Sequence, residues 1–133
     1  MQTENVWGQH LILDMGGCNG NITRKESIRA FVAELVDVID MVAYGEPVIE
    51  HFATHNHEAA GYTLVQLIET SAISAHFSDH NRDVYLDVFS CKSFDGDRVL
   101  RVVDKYFEPK SIYMLSLERE AKQPVRSPFT RLR

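Results

Sequence analysis

Three short segments of the sequence hold side chains that can do chemistry. The first holds His51, His55 and His57, whose alternate spacing puts all three on one face of a strand. Imidazoles grouped in this way can bind zinc, but no acidic or thiol ligand is clearly placed to join them. A solvated cluster at a strand end is therefore the simpler interpretation, and a metal site is the alternative.

The other two segments hold small hydroxyl groups and a thiol. Thr70, Ser71 and Ser74 lie at the junction of two strand-like runs, and His76 follows them. Cys91 ends a later strand-like run. The pattern alone favours a polar turn for the hydroxyl residues and a structural role for the thiol. A reactive role for either segment is the alternative.

The elements that must position these residues follow from hydrophobic periodicity. A capping box of Thr23 and Glu26 predicts a helix that ends before Gly45, with an apolar stripe running as far as Val42. A second helix is predicted over 95–107, where Pro109 stops it. Alternating or apolar runs predict strands over 10–15, 48–54, 61–69, 73–78, 84–91 and 111–117.

This order of elements predicts an α+β fold. Two helices on one face of a mostly antiparallel sheet would bury both apolar stripes, giving a two-layer α/β sandwich. A hairpin centred on Asn81 pairs positions whose numbers sum to about 162, which puts Ser71 almost opposite Cys91 and leaves His76 on the other face. A register shifted by one residue puts Cys91 on the His76 face, and a bulge after Ser71 can bring all three together. These arrangements stay open.

Composition limits the class of protein. The chain has 133 residues, of which 44% are hydrophobic, so one folded domain is expected and disorder over the whole length is excluded. The domain is predicted over 1–118, with a flexible basic tail over 119–133. A net charge of −5 argues against a nucleic-acid partner, and no apolar run is long enough for a membrane span. The N-terminal residues lack a signal-peptide pattern, so a cytoplasmic protein is expected.

Four motifs together resemble a known family. They are Trp7-Gly8-Gln9-His10-Leu11 followed by Asp14 and Gly17-Cys18, then Glu69 to His76, then Leu86 to Cys91, then Phe107-Glu108-Pro109-Lys110. In order and spacing they resemble the small prokaryotic S-adenosylmethionine decarboxylases, the pyruvoyl enzymes of polyamine (spermidine) synthesis. The resemblance extends over residues 7–118.

The resemblance implies a role for each matching position. The precursor would cut itself between Thr70 and Ser71, and Ser71 would become the pyruvoyl group that forms a Schiff base with the substrate amine. His76 and Thr63 would assist the cut, and Cys91 would return a proton in decarboxylation. The family further implies a small-molecule substrate, a homodimer and no metal or diffusible cofactor.

The chain departs from the family pattern at two places. At the cut the family reads Glu-Ser-His where this chain reads Thr70-Ser71-Ala72, and His80 stands where a glutamate binds the ribose of the nucleoside. Asp79 is the nearest carboxylate that can take over this binding. S-adenosylmethionine is therefore the expected substrate, and ornithine or arginine is the alternative. An uncleaved, non-enzymatic relative that binds a ligand or partner is a further alternative.

Overall fold

The structure is a computed structural model that describes residues 6–126 and 129–133. The described residues form seven strands, two α-helices and one 3-10 turn. In chain order these are β1 (Gly8–Gly16), the 3-10 turn (Gly20–Thr23), α1 (Lys25–Val38), β2 (Val48–Phe52), β3 (Gly61–Ile68), β4 (Ser71–Ser78), β5 (Asp83–Ser90), α2 (Gly96–Phe107), β6 (Ser111–Arg119) and β7 (Phe129–Arg131).

The strands form one antiparallel sheet in the order β2-β3-β4-β5-β1-β6-β7. Alternate residues of the central strands are buried against the two helices, as Leu11, Leu13 and Met15 are in β1. The other face of the sheet carries no helix and is called the open face below. The predicted α+β two-layer sandwich with both helices on one face is confirmed.

Three phenylalanines join the helix layer to β4, the strand that begins at Ser71. The ring of Phe107 in α2 lies 4.6 Å from Phe31 in α1 and 5.6 Å from Phe77 in β4, measured between centroids. All three side chains are fully buried. Each such burial contributes about 1.5–3 kcal/mol, so this cluster fixes β4 against the helices.

The predicted start of the first helix is wrong. α1 begins at Lys25, and its N-cap residue Arg24 makes no side-chain cap. Thr23 cannot cap it because this residue ends the preceding 3-10 turn, where its hydroxyl donates to the Gly20 carbonyl oxygen at 2.8 Å. The helix also ends earlier than its apolar stripe suggests, at Val38, and Val42 is exposed.

The pairing of β4 with β5 is shifted by one residue from the register in which Ser71 lies opposite Cys91. Ser71 pairs with Ser90, and the backbone N–H of Cys91 donates to the Thr70 carbonyl oxygen at 3.1 Å. The shifted register is therefore the one adopted. By the alternation of β5, Cys91 continues the row of Phe89 on the open face, which is also the face of His76.

The segment after residue 118 contacts the sheet in part. The domain boundary predicted at 118 falls one residue before the end of β6, and Phe129–Arg131 pairs with β6 as β7. Arg133 makes an ion pair with Asp104 at 2.8 Å. Nothing tests the single-domain assignment or the mobility of the tail, so both stay predictions. No helix among the described residues is long and apolar enough to cross a membrane.

Gly61 begins β3 at a place where a side chain has no room. Its φ is +157°, and a Cβ atom would lie 1.6 Å from the Phe77 carbonyl oxygen. We predict that Gly61→Ala lowers the free energy of unfolding by about 2–4 kcal/mol, because the backbone of β3 must move. The control is Gly45→Ala, which has a φ of +69° but no atom within 4 Å, and which is expected to cost about 1 kcal/mol. Chemical denaturation measures both free energies of unfolding. Equal losses for Gly61→Ala and Gly45→Ala would contradict the close contact at Gly61.

Candidate active site

The Thr70–Ser71 peptide bond lies in a tight hairpin at one end of the sheet. Only Glu69 and Thr70 separate β3 from β4, and Ile68 pairs directly with Ser71. The Thr70 carbonyl oxygen accepts the hydrogen bond from the Cys91 backbone N–H. The hairpin therefore brings the bond that the resemblance marks for cleavage against the residue that follows β5.

The backbone of Ser71 is strained. Its φ is 153°, in a region that residues with a side chain rarely adopt. The other non-glycine residues with positive φ in the described chain have values of 45–61°, in the ordinary left-handed region. Such a conformation costs roughly 1–3 kcal/mol, and strained residues of this kind cluster at functional sites.

A buried serine fixes the side chain of Thr70. Ser90 is fully buried, and its hydroxyl donates to Thr70 Oγ1 at 2.7 Å while accepting the Lys92 backbone N–H at 3.0 Å. Thr70 Oγ1 also lies 3.4 Å from the sulfur of Met41. Sequence reasoning missed Ser90 and Met41. The alternation of β5 could have indicated Ser90, because a serine on the buried face of a strand needs a hydrogen-bond partner.

Thr63 and His76 form a second pair on the open face. They are opposite each other in β3 and β4, with Thr63 Oγ1 3.0 Å from His76 Nδ1. His76 Nε2 lies 2.8 Å from the Ala59 carbonyl oxygen. A carbonyl can only accept, so Nε2 donates to Ala59, and Nδ1 accepts the Thr63 hydroxyl when the ring is neutral. The histidine is thus oriented to take a proton at Nδ1.

Thr63 and His76 do not reach the Thr70–Ser71 bond within one chain. His76 lies five positions after Ser71 in β4, which is roughly 17 Å along an extended strand. Thr63 lies opposite His76 and is therefore just as far away. One chain thus brings together Thr70, Ser71 and Cys91, and holds Thr63 with His76 elsewhere on the sheet.

Asp79 and His80 lie beyond the opposite end of β4. Asp79 Oδ2 is 2.6 Å from His51 Nε2, and Asp79 Oδ1 is buried without a hydrogen-bond partner among the described residues. The His80 ring packs on His57 with centroids 3.9 Å apart. Asp79 lies eight positions after Ser71, roughly 26 Å along an extended chain, so neither side chain reaches Ser71 of the same chain.

The three histidines of the first motif do not form a common site. His51 is bonded to Asp79, and His57 contacts His80. In residues 6–126 and 129–133, no group of three or more His, Cys, Asp or Glu side chains is arranged to hold a metal ion. The zinc alternative thus finds no matching geometry in this part of the chain.

The comparison with known families decides what these residues belong to. The family profile described as S-adenosylmethionine decarboxylase matches residues 9–120. The chain belongs to this family. A decarboxylase-like role with S-adenosylmethionine follows from that membership, and the family is generally pyruvoyl-dependent.

The family fold is shared with a solved structure. The chain is similar to the crystal structure of the adenosylmethionine decarboxylase from Aquifex aeolicus VF5, with a TM-score of 0.72 and 24% sequence identity. The similarity covers 86% of this chain and 92% of that chain. No curated protein matches the sequence.

The two cysteines are predicted to differ in reactivity. Burial and the charge of Asp83 raise the pKa of the Cys18 thiol to about 12, whereas Cys91 is partly exposed. At pH 8, iodoacetamide should therefore label Cys91 in the folded protein, and Cys18 only after denaturation, because the thiolate is the nucleophile. Mass spectrometry of the labelled peptides measures this. Cys91→Ser is the control, and labelling of Cys18 in the folded protein as fast as Cys91 would be the contrary result.

Proposed function

We propose that the chain is a self-processing, pyruvoyl-dependent decarboxylase that acts on S-adenosylmethionine in polyamine synthesis in the cytoplasm. The observation that carries this proposal is the geometry of the Thr70–Ser71 bond. Its carbonyl oxygen accepts the Cys91 N–H, and the serine that follows it has a strained φ of 153°. Membership of the S-adenosylmethionine decarboxylase family supports the reaction class.

Self-processing begins with the hydroxyl of Ser71. Its Oγ attacks the Thr70 carbonyl carbon, the C–N bond breaks, and the Thr70 acyl group becomes an ester on Oγ while the amine of Ser71 is freed. Loss of the Ser71 Cα proton then breaks the Cβ–Oγ bond and releases residues 1–70 with a free carboxylate. Addition of one water and loss of one ammonia leave a pyruvoyl group at residue 71.

Two features of the hairpin favour the first step. Negative charge develops on the Thr70 carbonyl oxygen during attack, and the Cys91 N–H already points at this oxygen at 3.1 Å. Cleavage also relieves the strained backbone of Ser71, since residue 71 becomes a chain end. The hydrogen bond from Ser90 to Thr70 keeps the hairpin in place meanwhile.

Cys91 is the proposed proton donor in decarboxylation. The pyruvoyl group supplies a ketone that can hold the substrate amine covalently and accept the electrons left when carbon dioxide departs. Cys91 is adjacent to the hairpin through its backbone bond to Thr70, and this places the residue beside the proposed cleavage site. A positioned acid there can return the proton that the product needs.

A homodimer would complete the processing site. His76 cannot reach Ser71 of its own chain across roughly 17 Å of strand, yet the open face that carries His76 is free of helices. Exposed apolar side chains lie on this face, including Val65, Leu67 and Tyr85. We propose that two copies pack these faces together, so that Thr63 and His76 of the partner subunit serve each Ser71.

A basic amino acid is the second candidate substrate. The observation that favours it lies at the position of the family glutamate, where His80 packs on His57. The neighbouring carboxylate of Asp79 already binds His51. A substrate without a ribose, such as ornithine or arginine, would not need the missing carboxylate.

Ser71→Ala is predicted to leave one full-length chain. Wild-type protein should give fragments of residues 1–70 and 71–133, because the hydroxyl of Ser71 is the proposed nucleophile. Denaturing gel electrophoresis measures the outcome. The matched control is Ser74→Ala in the same strand, which should be cut like the wild type. Cleavage of Ser71→Ala, or wild-type protein that stays full-length, would contradict self-processing at Ser71. A wild type that stays full-length would favour the alternative of an uncleaved, ligand-binding relative.

Co-expression of two inactive chains tests the contribution of the partner. His76→Ala and Ser71→Ala chains should each stay uncut alone. In a mixed dimer purified through two different tags, the His76→Ala chain should be cut, because the Ser71→Ala chain supplies an intact His76. Cleavage of His76→Ala alone at the wild-type rate, or no cleavage in the purified mixed dimer, would contradict assistance between subunits.

A further inference from the structure

A cavity on the open face is closed by residues that lie outside the family match. Its volume is about 510 Å³, and it is lined by Trp7, Phe89, Arg119, Glu120, Ala121, Gln123 and Val125. The family profile ends at residue 120. The outer wall of this cavity, defined here as residues 120–126, is thus built almost entirely from sequence that the family profile does not include.

The floor of the cavity is aromatic. The rings of Trp7 and Phe89 lie 5.8 Å apart, and the Arg119 guanidinium carbon lies 4.7 Å from the centre of the Phe89 ring. Gly8 makes this packing possible, because a Cβ there would lie only 3.2 Å from both the Phe89 ring and the Ser90 carbonyl oxygen. The floor therefore offers ring faces and an apolar surface to a bound molecule.

The cavity adjoins the proposed reaction centre. Phe89 precedes Cys91 by two residues in the same row of the open face, roughly 7 Å along the strand. Phe89 also pairs with Ala72, the residue after Ser71. A second cavity of about 610 Å³ lies on the helix side, lined by Gln9, Lys92, Phe94 and the first turn of α2. Ser71, His76 and Cys91 line neither cavity, and what distinguishes the open-face cavity is its aromatic floor.

The outer wall is fastened at both ends. Glu118, which precedes the wall, donates its backbone N–H to the carbonyl oxygen of Arg126, the last residue of the wall, at 3.0 Å. The Glu118 carboxylate also makes an ion pair with the Arg126 guanidinium at 3.9 Å. Beyond its far end, the Arg133 guanidinium bonds both carboxylate oxygens of Asp104, at 2.8 and 2.9 Å, and the Pro109 carbonyl oxygen at 3.0 Å. β7 pairs with β6 between these two fastenings. The wall thus has a defined place over the aromatic floor.

We infer that residues 120–126 form a specificity wall of the substrate pocket. The wall contacts the part of the substrate that does not react, while Ser71 and Cys91 act on the amino acid end. This inference rests on the proposed function, because it assigns the cavity to the substrate of that reaction. Val125 and Gln123 are the wall residues that select, since one gives apolar contact and the other an amide at the cavity surface.

Val125→Asp tests the wall by adding a charge inside the cavity. We expect the KM for S-adenosylmethionine to rise at least tenfold, with kcat within about threefold of wild type and self-cleavage unchanged. The matched control is Lys122→Ala, which changes the net charge equally, lies in the same segment and does not line the cavity. Gln123→Ala is a second variant, with an expected rise in KM of about three- to tenfold.

Fluorescence of Trp7 gives a readout that needs no catalysis. Trp7 is the one tryptophan of the sequence and lines the cavity. Titration of the uncut Ser71→Ala protein with S-adenosylmethionine should change this fluorescence in a saturable way, with weaker binding when Val125→Asp is added. The assignment of residues 120–126 to the substrate pocket would be contradicted by either of two results. One is a dissociation constant and a KM for Val125→Asp within twofold of those for Lys122→Ala, and the other is no saturable change in fluorescence. Loss of cleavage or decarboxylation in wild type would instead refute the proposed function, while this titration still tests the wall.

Discussion

The hydrogen bond from the Cys91 backbone N–H to the Thr70 carbonyl oxygen is the contact on which the proposed site depends. It joins the end of β5 to the hairpin between β3 and β4, with strand β4 lying between the two in the chain. The same contact places Cys91 beside the bond that is proposed to break, and gives the carbonyl oxygen of that bond a donor for developing negative charge. The pairing of Ser71 with Ile68 on one side and Ser90 on the other holds its strained φ.

The geometry of an extended strand imposes the second constraint. Side chains on β4 are spaced at about 3.3 Å per residue, so His76 and Ser71 cannot share a reacting centre in one chain. The same spacing separates Asp79 and His80 from Ser71 still further. A site that uses all of these residues therefore needs a second copy of the chain, and the open face is the surface that can receive it.

Local signals in the sequence located the second helix, but not the register of the site. Asp95 caps α2 by accepting the Asp97 N–H at 2.9 Å, and the helix ends just before Pro109, as the sequence predicts. The hairpin at Glu69 and Thr70 has no glycine or asparagine to mark it. The strand pattern therefore predicts the turn slightly later, over residues 70–72. A shift of one residue in register moves the side chains of a strand to the opposite face of the sheet. The register that the structure adopts therefore puts Cys91 on the same face as His76.

Contacts between distant elements could not be read from sequence periodicity. The bond between Ser90 and Thr70, and the pairing of Arg133 with Asp104, join residues whose separation is set by the folded sheet and not by spacing in the chain. The family resemblance names Thr63 and His76 together as residues that assist the cut, a role that stays a prediction. Their opposition in β3 and β4 gives the physical reason, because a cross-strand pair orients the imidazole through its Nδ1 atom.

The central claim is that residue 71 carries a group that holds an amine substrate while carbon dioxide leaves. Intact-mass measurement of the 71–133 fragment, after incubation with substrate and cyanoborohydride, tests it most directly. With S-adenosylmethionine, the fragment should gain the mass of the decarboxylated substrate as a reduced covalent adduct, and ornithine, arginine and lysine should add little. An adduct with ornithine or arginine alone would identify the second candidate substrate. A fragment without any adduct, or an uncut chain, would contradict the account.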